Sequence, residues 1–202
     1  TGYWPPTNNM VRQFSTNPQQ NPGGWKGGNW EGRGYNIYSF FPEFPNGLGK
    51  GEGDFEVDYQ DTSADWARIT EMVKPVAILT FSRGSLGKNW EIEYAQRNLQ
   101  TWVDDYVAPF QPTPSPPDAS VPAGFVRHSS LPMENIRDAV NAANLGFSAF
   151  IDYTGYGGGF LSEFMAYHGT WYKDSHDDPG TQFGTVAAGH VHVGIGTPLA
   201  GA

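Results

Sequence analysis

A serine, two histidines and a glutamate stand where this chain could do hydrolytic chemistry. Ser162 follows the glycine-rich turn 155–159 (GYGGG), at or near the start of a helix over 160–172. The first N–H groups of a helix have no intrahelical partner, and the dipole there favours negative charge. A nucleophilic hydroxyl at that place delivers its oxyanion to ready-made donors. The same serine also reads as a plain helix cap, with Glu163 as a favourable first-turn acid. His190 and His192 lie two apart in the run VAAGHVHV (186–193), so on a strand they project to one face. Such a pair suits a metal, a base beside a bystander, or two rings satisfied by hydrogen bonds. The chain has no cysteine, so a metal site there would have to recruit His168, His176, Asp177 or Asp178. Glu93 is one of 21 acidic residues and on spacing alone reads as a solvated carboxylate.

The elements that must hold these groups alternate in type. Strand character marks 35–41 (YNIYSFF), stopped by Pro42 and Pro45, and a shorter alternating segment over 55–59. A helix is predicted over 62–73, where Trp66, Ile69 and Val73 share a face and Pro75 follows. The continuous apolar run 76–81 (VAILTF) has the signature of a buried parallel strand. The stretch 91–106 mixes both periods, and 109–122, rich in proline and serine, reads as a surface excursion or flap. A helix over 131–143 carries Ile136, Val140 and Ala143 as its stripe; a strand over 147–153 (FSAFIDY), the helix at 160–172 and a last strand over 186–193 complete the set. Strands alternating with helices predict one α/β domain over 1–202, a three-layer α/β/α sandwich with a mainly parallel sheet. In open α/β sheets ligands bind beyond the carboxyl ends of the strands. The expected site is therefore the convergence of three such ends: 82–93, 153–162 and the His190–His192 strand.

Composition narrows the partners. With 12 basic against 21 acidic residues and a formal charge of −9, the chain has no basic face with which to neutralise phosphates, which argues against a nucleic-acid binder. No apolar run approaches the roughly 18 residues of a membrane span. Gly (26) and Pro (16) call for long loops, yet aromatic residues at 15% supply enough surface for an ordered core. Trp25 and Trp30 in the loop 21–34 read as packing anchors, or with Trp4 as stacking platforms for a sugar or peptide. The sequence starts at Thr1 without a basic-then-apolar leader; a processed, exported product is the expectation.

Five separated stretches resemble pyroglutamyl peptidase I, the cysteine peptidases of family C15. Thr1-Gly-Tyr-Trp-Pro-Pro6 is similar to that family's opening TGF-x-PF. Glu93-Tyr-Ala-Gln-Arg-Asn98 resembles its E-R-V-A-x-N, and Ser129-Ser-Leu-Pro132 its S-T-L-P helix start. Gly158-Gly-Phe-Leu-Ser-Glu163 resembles the nucleophile motif A-G-x-F/Y-x-C-N, and His190-Val-His-Val-Gly194 resembles F-x-H-x-P. The stretches occur in family order and cover nearly the whole chain. The resemblance implies a phosphorylase/hydrolase-like fold and a cofactor-free, metal-free amide hydrolase acting on a small peptide or acylated amine. It makes Glu93 the acid, His192 the base and Ser162 the nucleophile in place of cysteine. It also assigns Arg83, Tyr3, Trp4, Gly158 and Gly159 to substrate binding. Arg83 stands where the family has a pocket glutamine, Pro6 where it has a phenylalanine, and Gly87 where it has the loop arginine. An inward Arg83 would pair with an acidic substrate group and displace pyroglutamyl specificity. The family's first strand and last helix are expected to be missing. Three other readings remain: an enzyme inactivated by a serine introduced at the nucleophile position, a catalytically silent scaffold that binds a peptide or sugar, and a metal-dependent hydrolase built on the histidine pair.

Overall fold

The computed structural model describes residues 5–178 and 184–201. In chain order the elements are α1 (Pro5–Val11), the two-residue strands β1 (Pro42–Glu43) and β2 (Glu52–Gly53), α2 (Tyr59–Val73), β3 (Ala77–Arg83), β4 (Asn89–Glu93), β5 (Ala95–Arg97), β6 (Val126–His128), α3 (Met133–Ala142), β7 (Ser148–Asp152), α4 (Leu161–Ser175) and β8 (Ala187–Val193). Among the described residues no helix is long and apolar enough to cross a membrane.

The central sheet has the order β3-β8-β4-β7. Two of its pairings, β3 with β8 and β4 with β7, are parallel, while β4 runs antiparallel to β8. It is an open, mixed α/β sheet with helices on both sides. On one face Ile92, Ala149, Val191 and Val193 pack against Met10 of α1 and against Met133, Ile136 and Val140 of α3. On the other, Ile78 and Ala188 meet Trp66 of α2 and Met165 and Tyr172 of α4. A third cluster, Val57, Tyr59, Trp102, Leu161 and Phe164, ties α2 to the start of α4.

The mixed direction corrects one expectation. The carboxyl ends of β3 and β8 lie together, but those of β4 and β7 point the opposite way, so three strand ends do not converge at one edge. What converges is one face. Thr80, His190, Glu93 and Asp152 form one row across the four strands, and Ser82, His192, Glu91 and Phe150 form the next. Because side chains alternate along each strand, all eight point to the α4 side.

Local departures from the sequence reading have local causes. The segment 35–41 is extended but is no strand: its backbone bonds go singly to the loop, Ile37 N–H to Gly27 and Ser39 N–H to Phe14, with no continuous neighbour. Segment 55–59 is not a strand either. Asp58 accepts the N–H groups of Gln60 and Asp61 and starts α2 there, three residues before the expected Thr62. The ambiguous 91–106 resolves into β4, β5 and a loop. Trp25 and Trp30 act as anchors. Trp25 stacks on Tyr38 at 4.9 Å and donates its indole N–H to Ile37, and Trp30 sits edge-on to Phe14.

Candidate active site

Register explains how Glu93 reaches His192. Glu93 lies directly opposite His190, and Glu91 opposite His192, across the antiparallel β4–β8 pair. His192 is therefore the diagonal neighbour of Glu93, a separation long side chains can bridge. The bridge forms: His192 Nδ1 stands 2.6 Å from Glu93 Oε1. Glu93 is 1% exposed, while the His192 side chain keeps 11% of its exposure.

His190 is fixed differently. Its ring is fully buried, with Nδ1 2.8 Å from Thr80 Oγ1 and Nε2 2.8 Å from Ser82 Oγ. Burial, reinforced by His192, holds its pKa well below the usual histidine range, so the ring is neutral. It meets His192 edge-on at 4.7 Å and supports that ring. With both nitrogens occupied by hydroxyls, His190 cannot complete a histidine metal pair. Nor can the proposed helpers: His168 is half-buried between Trp66 and Phe164, and His176 stacks on Tyr172 at the surface. The metal-hydrolase reading on the two histidines is therefore dropped.

Ser162 is the second residue of α4, buried at 7% exposure. It is not the cap. Phe160 holds that position, and its side chain makes no capping hydrogen bond. Among the described residues the Ser162 hydroxyl makes no hydrogen bond, to His192 or to any other group.

Glu163 is more than a first-turn acid. It is fully buried, and its Oε1 accepts the Arg97 backbone N–H at 2.5 Å. Its Oε2 has no hydrogen-bond partner among the described residues and lies against Gly157, where a Cβ would come within 2.9 Å of the Glu163 Cα. Gly157 is thus what lets the turn close onto the helix start. Burial pushes the Glu163 pKa up to about 7, the Arg97 N–H opposes that, and the charge of Glu93 adds to it, which ties the first turn of α4 electrostatically to the Glu93–His192 pair. A carboxyl raised from 4.5 stabilises the fold fully below about pH 4.5, and that contribution is lost as pH rises through about 7. Glu163→Gln, neutral at every pH, is expected to match the wild type in urea below pH 4.5 and to exceed it above pH 7 by about 1–3 kcal/mol.

Arg97 straps the turn. Its guanidinium lies 3.9 Å from the Tyr156 ring centroid and donates to the Gly158 carbonyl at 3.0 Å. The Gly159 carbonyl accepts the Val103 N–H at 2.7 Å. With both carbonyls engaged, the N–H groups of Gly158 and Gly159 donate to no group among the described residues.

Other assignments fare less well. Arg83 is exposed, and its place on β3 alternates it to the α1–α3 face, away from Ser82 and His192. The acidic-substrate expectation needed an inward Arg83 and is withdrawn. Tyr3 and Trp4 lie outside the described residues. Sequence reasoning missed Thr80, Ser82, Glu91 and Arg97. The first three had a signal, since T-x-S, E-x-E and H-x-H share the two-residue period that puts them on one face.

No protein-family model matches this chain, and no curated protein does. Solved structures do. A variant of the pyrrolidone carboxyl peptidase of the hyperthermophile Pyrococcus furiosus superposes with a TM-score of 0.52 at 17% identity, covering 68% of this chain and 61% of that one. The pyrrolidone carboxyl peptidase from Thermococcus litoralis gives the same TM-score and identity over 68% of this chain and 57% of its own. This chain shares their fold. The matched region is less than two thirds of the length of either neighbour.

Proposed function

We propose that this protein is a hydrolase of the C15 peptidase type that cleaves an amide bond through Ser162, His192 and Glu93. The observation that supports it most is the 2.6 Å contact between His192 Nδ1 and the buried Glu93 carboxylate, diagonal across two strands on the face that α4 covers. A carboxylate so placed holds the imidazole with its proton on Nδ1 and its lone pair on Nε2. A serine hydroxyl, unlike a thiol, needs a base to take its proton during attack. Ser162 Oγ attacks the acyl carbon while its proton passes to His192 Nε2. The C–N bond then breaks as that proton goes to the leaving amine. Water, activated by the same nitrogen, releases the acyl group and restores the serine. The uncapped first turn of α4, with the N–H groups of Gly158 and Gly159, supplies donors for the oxyanion. The substrate class is a small peptide or acylated amine. Pyroglutamyl specificity is not proposed: the positions that the resemblance matches to the family's pocket residues hold Arg83, Pro6 and Gly87, and Arg83 lies exposed on the other face of the sheet.

An organophosphonate tests this directly. Covalent modification is expected on the peptide containing Ser162, found by mass spectrometry, and its absence from folded protein overturns the reading. A silent peptide-binding scaffold would then be favoured by the unbonded Ser162 hydroxyl. Arg97→Ala removes the strap on the 155–159 turn, and the labelling rate is expected to fall about 10–100-fold with far-UV circular dichroism unchanged.

A further inference from the structure

The strands that carry the Glu93–His192 pair carry a third donor. Glu91 is the cross-strand partner of His192, on the same face as Glu93. One ligand atom each from Glu91, Glu93 and His192 lies within 4.8 Å of the other two. Carboxylates withdrawn from water are ordinarily hydrogen-bonded or paired with a cation. Glu93 is 1% exposed, yet among the described residues its Oε2 has no hydrogen-bond partner. Among the described residues no lysine or arginine is ion-paired to Glu91, Glu93 or the adjacent Asp152. Three carboxyl groups thus gather on this face with no lysine or arginine paired to them among the described residues; Glu91 shares a hydrogen bond with Asp152, and, being half-buried, gives access from solvent.

We propose that Glu91, Glu93 and His192 form a divalent-cation site of the zinc class, whose occupation silences the site. One imidazole nitrogen with two carboxylate oxygens is a set that zinc accepts, at about 2.0–2.2 Å, with water as fourth ligand. Donors around such an ion are spaced about 3.4 Å apart, so side-chain rotation suffices to close the group. Magnesium prefers six oxygens and is reluctant to lose its water, so it is discriminated against. Zinc on Nδ1 of His192 replaces the contact with Glu93, and zinc on Nε2 takes the lone pair that receives the hydroxyl proton. In either case the base is lost. This silencing rests on the hydrolase reading; the binding does not.

Isothermal titration of the full chain with zinc chloride separates the two. One zinc per chain is expected for the wild type, for Ser162→Ala and for His176→Ala, which removes an exposed imidazole. At least tenfold weaker binding is expected for Glu91→Gln, recovery in Glu91→Asp, and no magnesium binding. Absence of saturable binding, or binding that Glu91→Gln leaves intact, overturns the site. Zinc is also expected to slow phosphonate labelling of the wild type in step with occupancy. Labelling undiminished at saturation overturns the silencing. Zinc binding of the expected pattern in a protein that is never labelled upholds the site and sinks the hydrolase reading instead.

Discussion

Ser162→Ala is expected to reduce amide turnover by about three to six orders of magnitude, to the level that oxyanion donors and binding alone sustain. The size follows from the role. Alanine removes the atom that forms the acyl-enzyme, so no bond to the substrate can be made. The structural cost should be small by contrast. The Ser162 hydroxyl bonds to nothing among the described residues, and the serine is not the cap of α4. A melting temperature within a few degrees of wild type, with turnover absent on a panel of acyl-arylamides, is the result that fits. A variant that keeps a tenth of wild-type turnover places the chemistry elsewhere.

Glu93→Gln is expected to cost about 10⁴-fold in kcat with KM nearly unchanged. Glutamine has the shape of glutamate but can present an N–H to Nδ1 of His192. The imidazole then carries its proton on Nε2, the nitrogen that must be free to act as base. Loss through misfolding would look different, since a disrupted sheet moves KM and the melting temperature together. Glutamine matches the size of the buried glutamate, and His190 opposite is held by Thr80 and Ser82, so the packing is expected to be kept. Steady-state kinetics on Glu93→Gln and Glu93→Asp check this, and equal, wild-type-like kcat in both would remove Glu93 from the reaction.

Much of the architecture was legible because its signals are local. The apolar run 76–81, the stripes of 131–143 and 160–172 and the FSAFIDY and VAAGHVHV strands all appear within a residue or three of their predicted bounds. The same local reading failed where the partner decided. YNIYSFF has strand character, but no continuous strand lies beside it, and a lone extended segment bonds only piecemeal. At Asp58 a strong side-chain cap outweighed the alternation of 55–59. Glu163 read as a first-turn acid because nothing near it in sequence indicates that Arg97 and Gly157 close over it.

By itself the sequence determined the α/β class, the absence of thiol chemistry and the period-two placing of histidines, glutamates and hydroxyls on shared strand faces. These depend on residue type and on spacing within one element. Tertiary structure decided that β4 runs against β8. That reversal puts Glu93 diagonal to His192 instead of at a common strand end, turns Arg83 to the far face, and occupies His190 with two hydroxyls. Strand direction and register arise from contacts between segments some 100 residues apart, as in the 99-residue separation of Glu93 and His192. No local pattern of side chains encodes them.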